Sequence, residues 1–339
     1  MSTVDSSGDI NQPSLFAVYV PLNGQNSSDN TSEVFTGPRT IISRFSNGAA
    51  SIGDILPIIP SYLNSTYILQ FYGPKVECTD AGPFETGIIE NLIKSQMVMS
   101  EATERNQEID YFAFVPAKNS SVIYPILGNR PEEPVDAMNQ LWMAYSKYGN
   151  GSNCQNPSNI TWEYTVCSLW NVSYAVNFTF ENGIQNITAV DQQLLEEVDY
   201  PTVNASSPSN LTQLAYSAYM WAFTDQIIGF MEIYEEILSN GSAGTNNSQI
   251  QTQIQNTALL GSSDLDVFFD QRRVRLDGAP NCTLSDQRAQ DIGLARNYSL
   301  HTLIPELSFN ITMSYFSSSL LSYVTTYLLS PCVRVSSRD

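Results

Sequence analysis

In the stretch from Trp162 to Thr188, residues 162 to 181 alternate with period two. That pattern constrains the fold most, because alternation on this scale fits a strand and not a helix. Even positions hold Trp162, Tyr164, Val166, Ser168, Trp170, Val172, Tyr174, Val176, Phe178 and Phe180, and odd positions run from Glu163 to Glu181 with Asn171, Ser173, Asn177 and Thr179 among them. Successive strand side chains point to opposite faces, so the even set is expected on a core and the odd set in solvent. The run is too long for one ordinary strand, which predicts a bulge or break within it. Asn182-Gly183 then offers the two left-handed residues of a type I′ turn. A two-residue turn pairs Glu181 with Ile184, Phe180 with Gln185, Thr179 with Asn186 and Phe178 with Ile187. Asn171, Asn177 and Asn186 consequently share the outward face.

Those three asparagines belong to N-x-S/T sequons, the acceptor motif for glycan transfer. Sixteen of the 28 asparagines stand in such a motif. Ser and Thr make up 64 of 339 residues, so composition alone would yield about five sequons. The excess predicts a glycoprotein with acceptors at Asn64, Asn119, Asn159, Asn171, Asn177, Asn186, Asn204, Asn281 and Asn297, the remaining sequons being Asn26, Asn30, Asn150, Asn210, Asn240, Asn246 and Asn310. Only 14% of residues are charged, so Asn, Gln, Ser and Thr must keep the surface wet. Cysteine agrees with an oxidising compartment: Cys78, Cys154, Cys167, Cys282 and Cys332 lie far apart, without the C-x-x-C spacing of a zinc site. The disulfide candidates are Cys78, Cys154, Cys167 and Cys282, with Cys78 paired to Cys154 or Cys167 and Cys332 left over. Met1 to Ile10 is polar and acidic, without the apolar core of a signal peptide, and no window has the continuous apolar length of a spanning helix. Sequons without a secretory signal suggest a truncated gene model of a larger protein, attached to a membrane only through flanking segments.

Elsewhere, residues 1–33 read as a mostly polar, mobile segment around a strand at Leu15–Pro21. Tyr67–Tyr72 is expected as a strand broken by Gly73-Pro74 and resumed at Val76 and Cys78. Residues 84–105 carry Ile88, Ile89, Leu92, Ile93 and Met97 at helical spacing, and Tyr111–Val115 forms a further strand. Leu211–Leu238 is expected as a buried helix, Gly241–Gln255 as a polar loop, and a last helix from Pro305 with Leu303, Leu307, Ile311 and Tyr315 at steps of four. Strands first and helices later predict an α+β fold: antiparallel sheet from the N-terminal and middle strands, packed against helices of the C-terminal half. Residues 34–325 are expected as one glycosylated domain and 326–339 as an irregular tail.

Much chemistry is absent from the sequence. The net charge is −19, and the one basic cluster, Arg272, Arg273 and Arg275, is a poor phosphate-binding surface, so nucleic acid is not an expected partner. His301 is the single histidine, which removes H-E-x-x-H and every multi-histidine zinc site. No G-x-S-x-G elbow, P-loop, dinucleotide glycine pattern or D-[ST]-G occurs. No metal, cofactor or catalytic residue is therefore assigned. Paired acids need no rigid motif, so Glu101 with Glu104 and Glu132 with Glu133 remain candidates for a glycosidase pair.

Five segments carry a family resemblance: N-S-T-Y with F-Y-G-P-K-V-E-C (Asn64–Tyr67 and Phe71–Cys78), L-W-M-A-Y (Leu141–Tyr145), C-S-L-W-N-V-S-Y (Cys167–Tyr174), F-E-N-G-I-Q-N-I (Phe180–Ile187) and E-L-S-F-N-I-T (Glu306–Thr312). In that order, over residues 60–322, they resemble the extracellular domain of an uncharacterised family of large fungal multi-pass membrane glycoproteins. The resemblance implies spanning helices on either side of this chain and a location on the extracellular side of a membrane, or secretion. It implies a non-enzymatic binding or surface module. Some relatives are labelled deformylase-like, a chemistry that needs H-E-x-x-H and has no counterpart here. The alternative function is a secreted carbohydrate-active hydrolase using a carboxylate pair. The ligand or partner is not legible in the sequence.

Overall fold

A computed structural model describes residues 17–21, 33–60, 62–101, 106–117, 138–148, 160–200, 208–237, 243–265, 268, 290, 293, 295–317 and 336–337. Its strands are β1 (Ala17–Pro21), β2 (Glu33–Pro38), β3 (Ser65–Asp80), β4 (Asn106–Phe114), β5 (Gln140–Tyr148), β6 (Ile160–Glu181), β7 (Ile184–Glu197), β8 (Gly229–Ile237), β9 (Ala243–Thr252) and β10 (Ser336–Ser337). The α-helices are α1 (Thr40–Ile52), α2 (Pro83–Glu101), α3 (Pro208–Thr224) and α4 (Leu300–Ser314). β1 and β2 form a separate pair, and the other strands hydrogen-bond in the order β10-β3-β6-β5-β4-β8-β9, with β7 on β6. The resolved registers are antiparallel, and the fold is α+β. Contacts divide the chain into two compact units, one of Met1–Glu77, Ser168–Phe223 and Pro305–Asp339, the other of Cys78–Cys167 and Thr224–Ile304.

In the first unit the β6–β7 hairpin turns at Asn182 and Gly183, with φ of 54° and 82°. Its four turn-proximal pairs are Glu181 with Ile184, Phe180 with Gln185, Thr179 with Asn186 and Phe178 with Ile187, the register read from the turn. Irregularities do occur, and they fall in β7. Pairing skips Leu195 and Val190, because Val172 faces Leu194 and Val176 faces Ala189. Val172, Tyr174, Val176, Phe178 and Phe180 are buried with Ile55, Leu69, Phe71 and Met313 in one core. From Leu214 to Thr224, α3 is buried on every side, as an all-round apolar helix requires.

β3 runs unbroken through Gly73-Pro74, contrary to the expected interruption. A proline cannot donate to a ladder, so the neighbouring backbone groups need other partners. Side chains supply them. The Pro74 carbonyl accepts from the Tyr174 hydroxyl at 3.1 Å and the Thr312 hydroxyl at 2.9 Å. The Val76 amide donates to Ser308 Oγ at 2.7 Å, and Tyr219 Oη lies 2.7 Å from the same Oγ. A Cβ on Gly73 would press on the Tyr174 ring at 3.3 Å. α4 thus replaces missing strand partners with hydroxyls at Ser308 and Thr312, one turn apart.

In the second unit, Ile89, Leu92 and Ile93 of α2 pack with Ile109, Phe112, Phe114, Trp142 and Ala144, and Trp162, Tyr164 and Val166 lean on this cluster. Along β6 the burial departs from the expected single core face, since Thr165 and Cys167 in this unit and Leu169 in the first are also buried. Both of its faces are covered. Cys78 and Cys167 form a disulfide, one of the two pairings open to Cys78 in the sequence.

The expected helix Leu211–Leu238 ends at Thr224, and Gly229–Ile237 is strand β8. The Gln251 carbonyl approaches Gly229, whose φ is 128°, so closely that a Cβ would collide with it. β8 pairs on one side with β4 and on the other with β9, and β9 is the segment expected as a polar loop. Strand neighbours outvote local helical spacing there. α4 begins at Leu300, not at Pro305, which sits inside it.

The cores hold many phenols. Burial raises Tyr219 from 10.0 to about 12, hydrogen bonds from Ser308 and Thr312 only partly offsetting it, and burial pushes Tyr111, Tyr174, Tyr216 and Tyr315 upward as well. Below pH 10 these groups are neutral in both folded and unfolded chains, so the stabilisation is complete. As pH rises through 10 the unfolded chain loses protons that the folded chain keeps, and stability falls. Chemical denaturation at stepped pH should show a midpoint that is flat to about pH 9.5 and then drops steeply. In the same series, Ser308→Ala should lower stability by about 1–3 kcal/mol at neutral pH, because the Val76 amide is left without its acceptor.

Candidate functional site

A group of ionisable side chains lies in the second unit. β5 presents Tyr145 and Lys147, and β6 presents Glu163 and Thr165; each pair is two residues apart and so shares a strand face. Asp264 follows the single-turn helix Ala258–Gly261, and His301 is the second residue of α4. Asp264 is 2% exposed, and its two oxygens have different partners. Oδ2 accepts from the Leu300 amide at 2.8 Å, and Oδ1 lies 2.9 Å from Lys147 Nζ. Glu163 Oε1 approaches the same Nζ at 3.7 Å. Burial alone would lower the Lys147 pKa, but the hydrogen bond and charge of Asp264, with Glu163 behind them, leave it raised. Tyr145 is pushed well above 10.0, by burial first and then by the Asp264 charge.

This geometry explains why α4 starts five residues before its proline. A helix N-terminus has unpaired amides and a partial positive charge, which a carboxylate satisfies. Asp264 does so from a distant segment, while the Ser299 carbonyl accepts from the Thr302 and Leu303 amides at 3.0 Å each. The ammonium of Lys147 balances the remaining charge.

His301 is not the base of a triad. Thr165 Oγ1 lies 3.1 Å from its Nε2, and Asp80 Oδ1 lies 3.3 Å from that same nitrogen. A relay needs hydroxyl and carboxylate on opposite ring nitrogens. Glu163 and Asp264 likewise both approach the Lys147 ammonium, whereas a glycosidase pair faces a bound sugar across a gap. The carboxylates proposed from the sequence for that role, Glu104, Glu132 and Glu133, lie outside the described residues, as do the side chain of Glu101 and the cluster Arg272, Arg273 and Arg275. Among the described residues no three His, Cys, Asp or Glu side chains converge as metal ligands would.

Comparison with protein-family models, curated proteins and solved structures finds no match.

Of the predicted acceptors, Asn64, Asn186 and Asn297 are exposed and Asn171 and Asn177 half-buried. Asn64 Oδ1 accepts from the Asn182 amide at 2.8 Å. Asn171 lies on the outward face of β6 yet is covered by α3, accepting from the Tyr216 hydroxyl at 2.8 Å. Asn177 Nδ2 donates to Thr179 Oγ1 at 3.3 Å within its own sequon. Asn119, Asn159, Asn204 and Asn281 fall outside the described residues, as do Cys154, Cys282 and Cys332. The Asn310 sequon is 7% exposed, inside α4, and its Nδ2 donates to the Gly53 carbonyl at 3.1 Å.

Sequence reasoning missed Asp264, Lys147 and Glu163, for they come from three separate segments without a shared motif. Asp264→Ala should destabilise the chain by about 1–3 kcal/mol, since it leaves the buried Leu300 amide without its acceptor and uncaps α4. Asp264→Asn, which retains an acceptor for the Leu300 amide, should cost less, and urea unfolding of both variants measures the difference.

Proposed function

We propose that this chain is a glycosylated extracytoplasmic module that binds or covers a surface, belonging to the ectodomain of a fungal multi-pass membrane glycoprotein. The observation that carries the reading is the Cys78–Cys167 disulfide, whose Cys167 is fully buried. Such bonds form and persist in oxidising compartments. Support comes from the sequons, of which Asn64, Asn186 and Asn297 present open side chains on separate segments. No described helix is long and apolar enough to cross a membrane, so this reading assigns attachment to segments beyond the described ones. A carbohydrate-active hydrolase is the poorer fit, because Glu163 and Asp264 are engaged with one lysine.

The bare polypeptide has a mass of 37.6 kDa. Purified from its natural source, the chain should run well above that mass and fall to it after enzymatic removal of N-glycans. It should also resist thiol alkylation at Cys78 and Cys167 until reduced. A natural product already at bare mass, with both cysteines free, overturns the proposal.

A further inference from the structure

One end of the β6–β7 hairpin carries apolar side chains that the fold leaves open. Ile59 is 89% exposed, Tyr62 75%, Leu63 67% and Ile184 75%. Hydrogen bonds tie the two segments together. The Gly183 amide donates to the Leu63 carbonyl at 2.9 Å, and the Ile58 amide to Gln185 Oε1 at 2.7 Å. Bare apolar groups gathered at a tip mark something that covers them.

The covering candidate is attached at the same place. Tyr62-Leu63-Asn64-Ser65-Thr66 sets an aromatic ring two residues before a sequon asparagine. Among the described sequons no other has an aromatic residue at that spacing. A bend at 62–64 closes with Ser65 Oγ donating to the Tyr62 carbonyl at 3.2 Å. The bond from the Asn182 amide fixes the Asn64 carboxamide through its oxygen, and a glycan attaches through the nitrogen, so attachment leaves that bond intact. A pyranose presents polarised C–H groups on one face, which complement the negative face of an aromatic ring.

We infer that Asn64 carries an N-glycan whose first sugar seats on the Tyr62 ring and covers this apolar tip. The inference rests on the extracytoplasmic reading above. The donor is a lipid-linked oligosaccharide diphosphate of the secretory lumen. Asn64 Nδ2 forms a bond to the anomeric carbon, the anomeric carbon–oxygen bond to diphosphate breaks, the lipid diphosphate leaves with the electron pair, and Nδ2 releases one proton.

The test uses the full chain, made both in the secretory pathway of a eukaryotic host and unglycosylated in bacteria, as wild type, Tyr62→Ala, Thr66→Ala and the double variant. Thr66→Ala abolishes the sequon while keeping Asn64 and its bond to Asn182. Glycosidase release in heavy-oxygen water marks every occupied asparagine for peptide mapping. Asn64 should be marked in wild type. In the secreted proteins each single variant should lower the melting temperature by about 2–4 °C, and the double variant by no more than one of them. The bacterial Thr66→Ala protein should melt with its parent. Additive losses in the secreted set overturn the inference, as does a bare Asn64 beside marked asparagines elsewhere. Sedimentation of the secreted wild type with phosphatidylcholine vesicles, lost in Tyr62→Ala, overturns it in favour of a lipid seat. Absence of any marked sequon overturns both this inference and the reading beneath it.

Discussion

The two-sided burial of β6 is the constraint on which the rest of the structure depends. Its even side chains from Val172 to Phe180 fill one core, whereas Thr165, Cys167 and Leu169 are buried by their odd positions. A strand cannot satisfy both demands with a single solvent face. Trp162, Tyr164 and Val166 must therefore find apolar cover as well, and α2 with its cluster supplies it. Cys167 falls in the doubly covered stretch, where its bond to Cys78 holds β6 to β3. Closing an 89-residue separation restricts the unfolded chain by about 4–5 kcal/mol on the loop-entropy account. Register errors in β6 are costly: a one-residue slip would turn Val172, Tyr174, Val176, Phe178 and Phe180 from the core to the half-exposed face.

Polar groups in the interior follow one pattern, in which side chains repair what backbone geometry cannot provide. Pro74 leaves gaps in β3, and Tyr174, Ser308 and Thr312 fill them. The start of α4 leaves amides exposed, and Asp264 answers from another segment. Each repair adds a restraint between distant parts of the chain, with Val76 and Ser308 separated by 232 residues. Such contacts specify one arrangement because an apolar competitor would leave buried donors unmet.

Legibility in the sequence follows the same division. The hairpin register at Asn182-Gly183, the burial of α3 up to Thr224 and the apolar row Leu303, Leu307 and Ile311 in α4, with Tyr315 just beyond its end, are all local patterns, and they are all present. β8 and β9 were illegible because what makes them strands is pairing with β4 and with each other. Residues 225–238 alone satisfy a helical pattern, and only the approach of Gln251 to Gly229 shows why a glycine stands there. The N-terminal turn of α4 depends on Asp264, 36 residues away from Leu300. The ionisable cluster was hidden for a similar reason, since Lys147, Glu163, Asp264 and His301 meet only in three dimensions. For Cys78 the sequence offered the two mid-chain cysteines, Cys154 and Cys167, and the adjacency of β3 and β6 goes with Cys167.

Sequons illustrate the limit most sharply. The tripeptide is a local signal, but its fate depends on tertiary structure. Asn310-Ile311-Thr312 satisfies the motif as well as Asn64-Ser65-Thr66 does. Yet Asn310 uses its amide nitrogen to bond the carbonyl of Gly53, the left-handed residue that ends α1, and Thr312 uses its hydroxyl to bond Pro74. A glycan on Asn310 would need space beside Ile311 and Met313, both of which are fully buried. In a secretory lumen, then, folding of α4 onto its neighbours and glycan transfer at Asn310 are mutually exclusive. The excess of sequons cannot be read as a count of glycans, and this buried asparagine owes its identity to the end of α1.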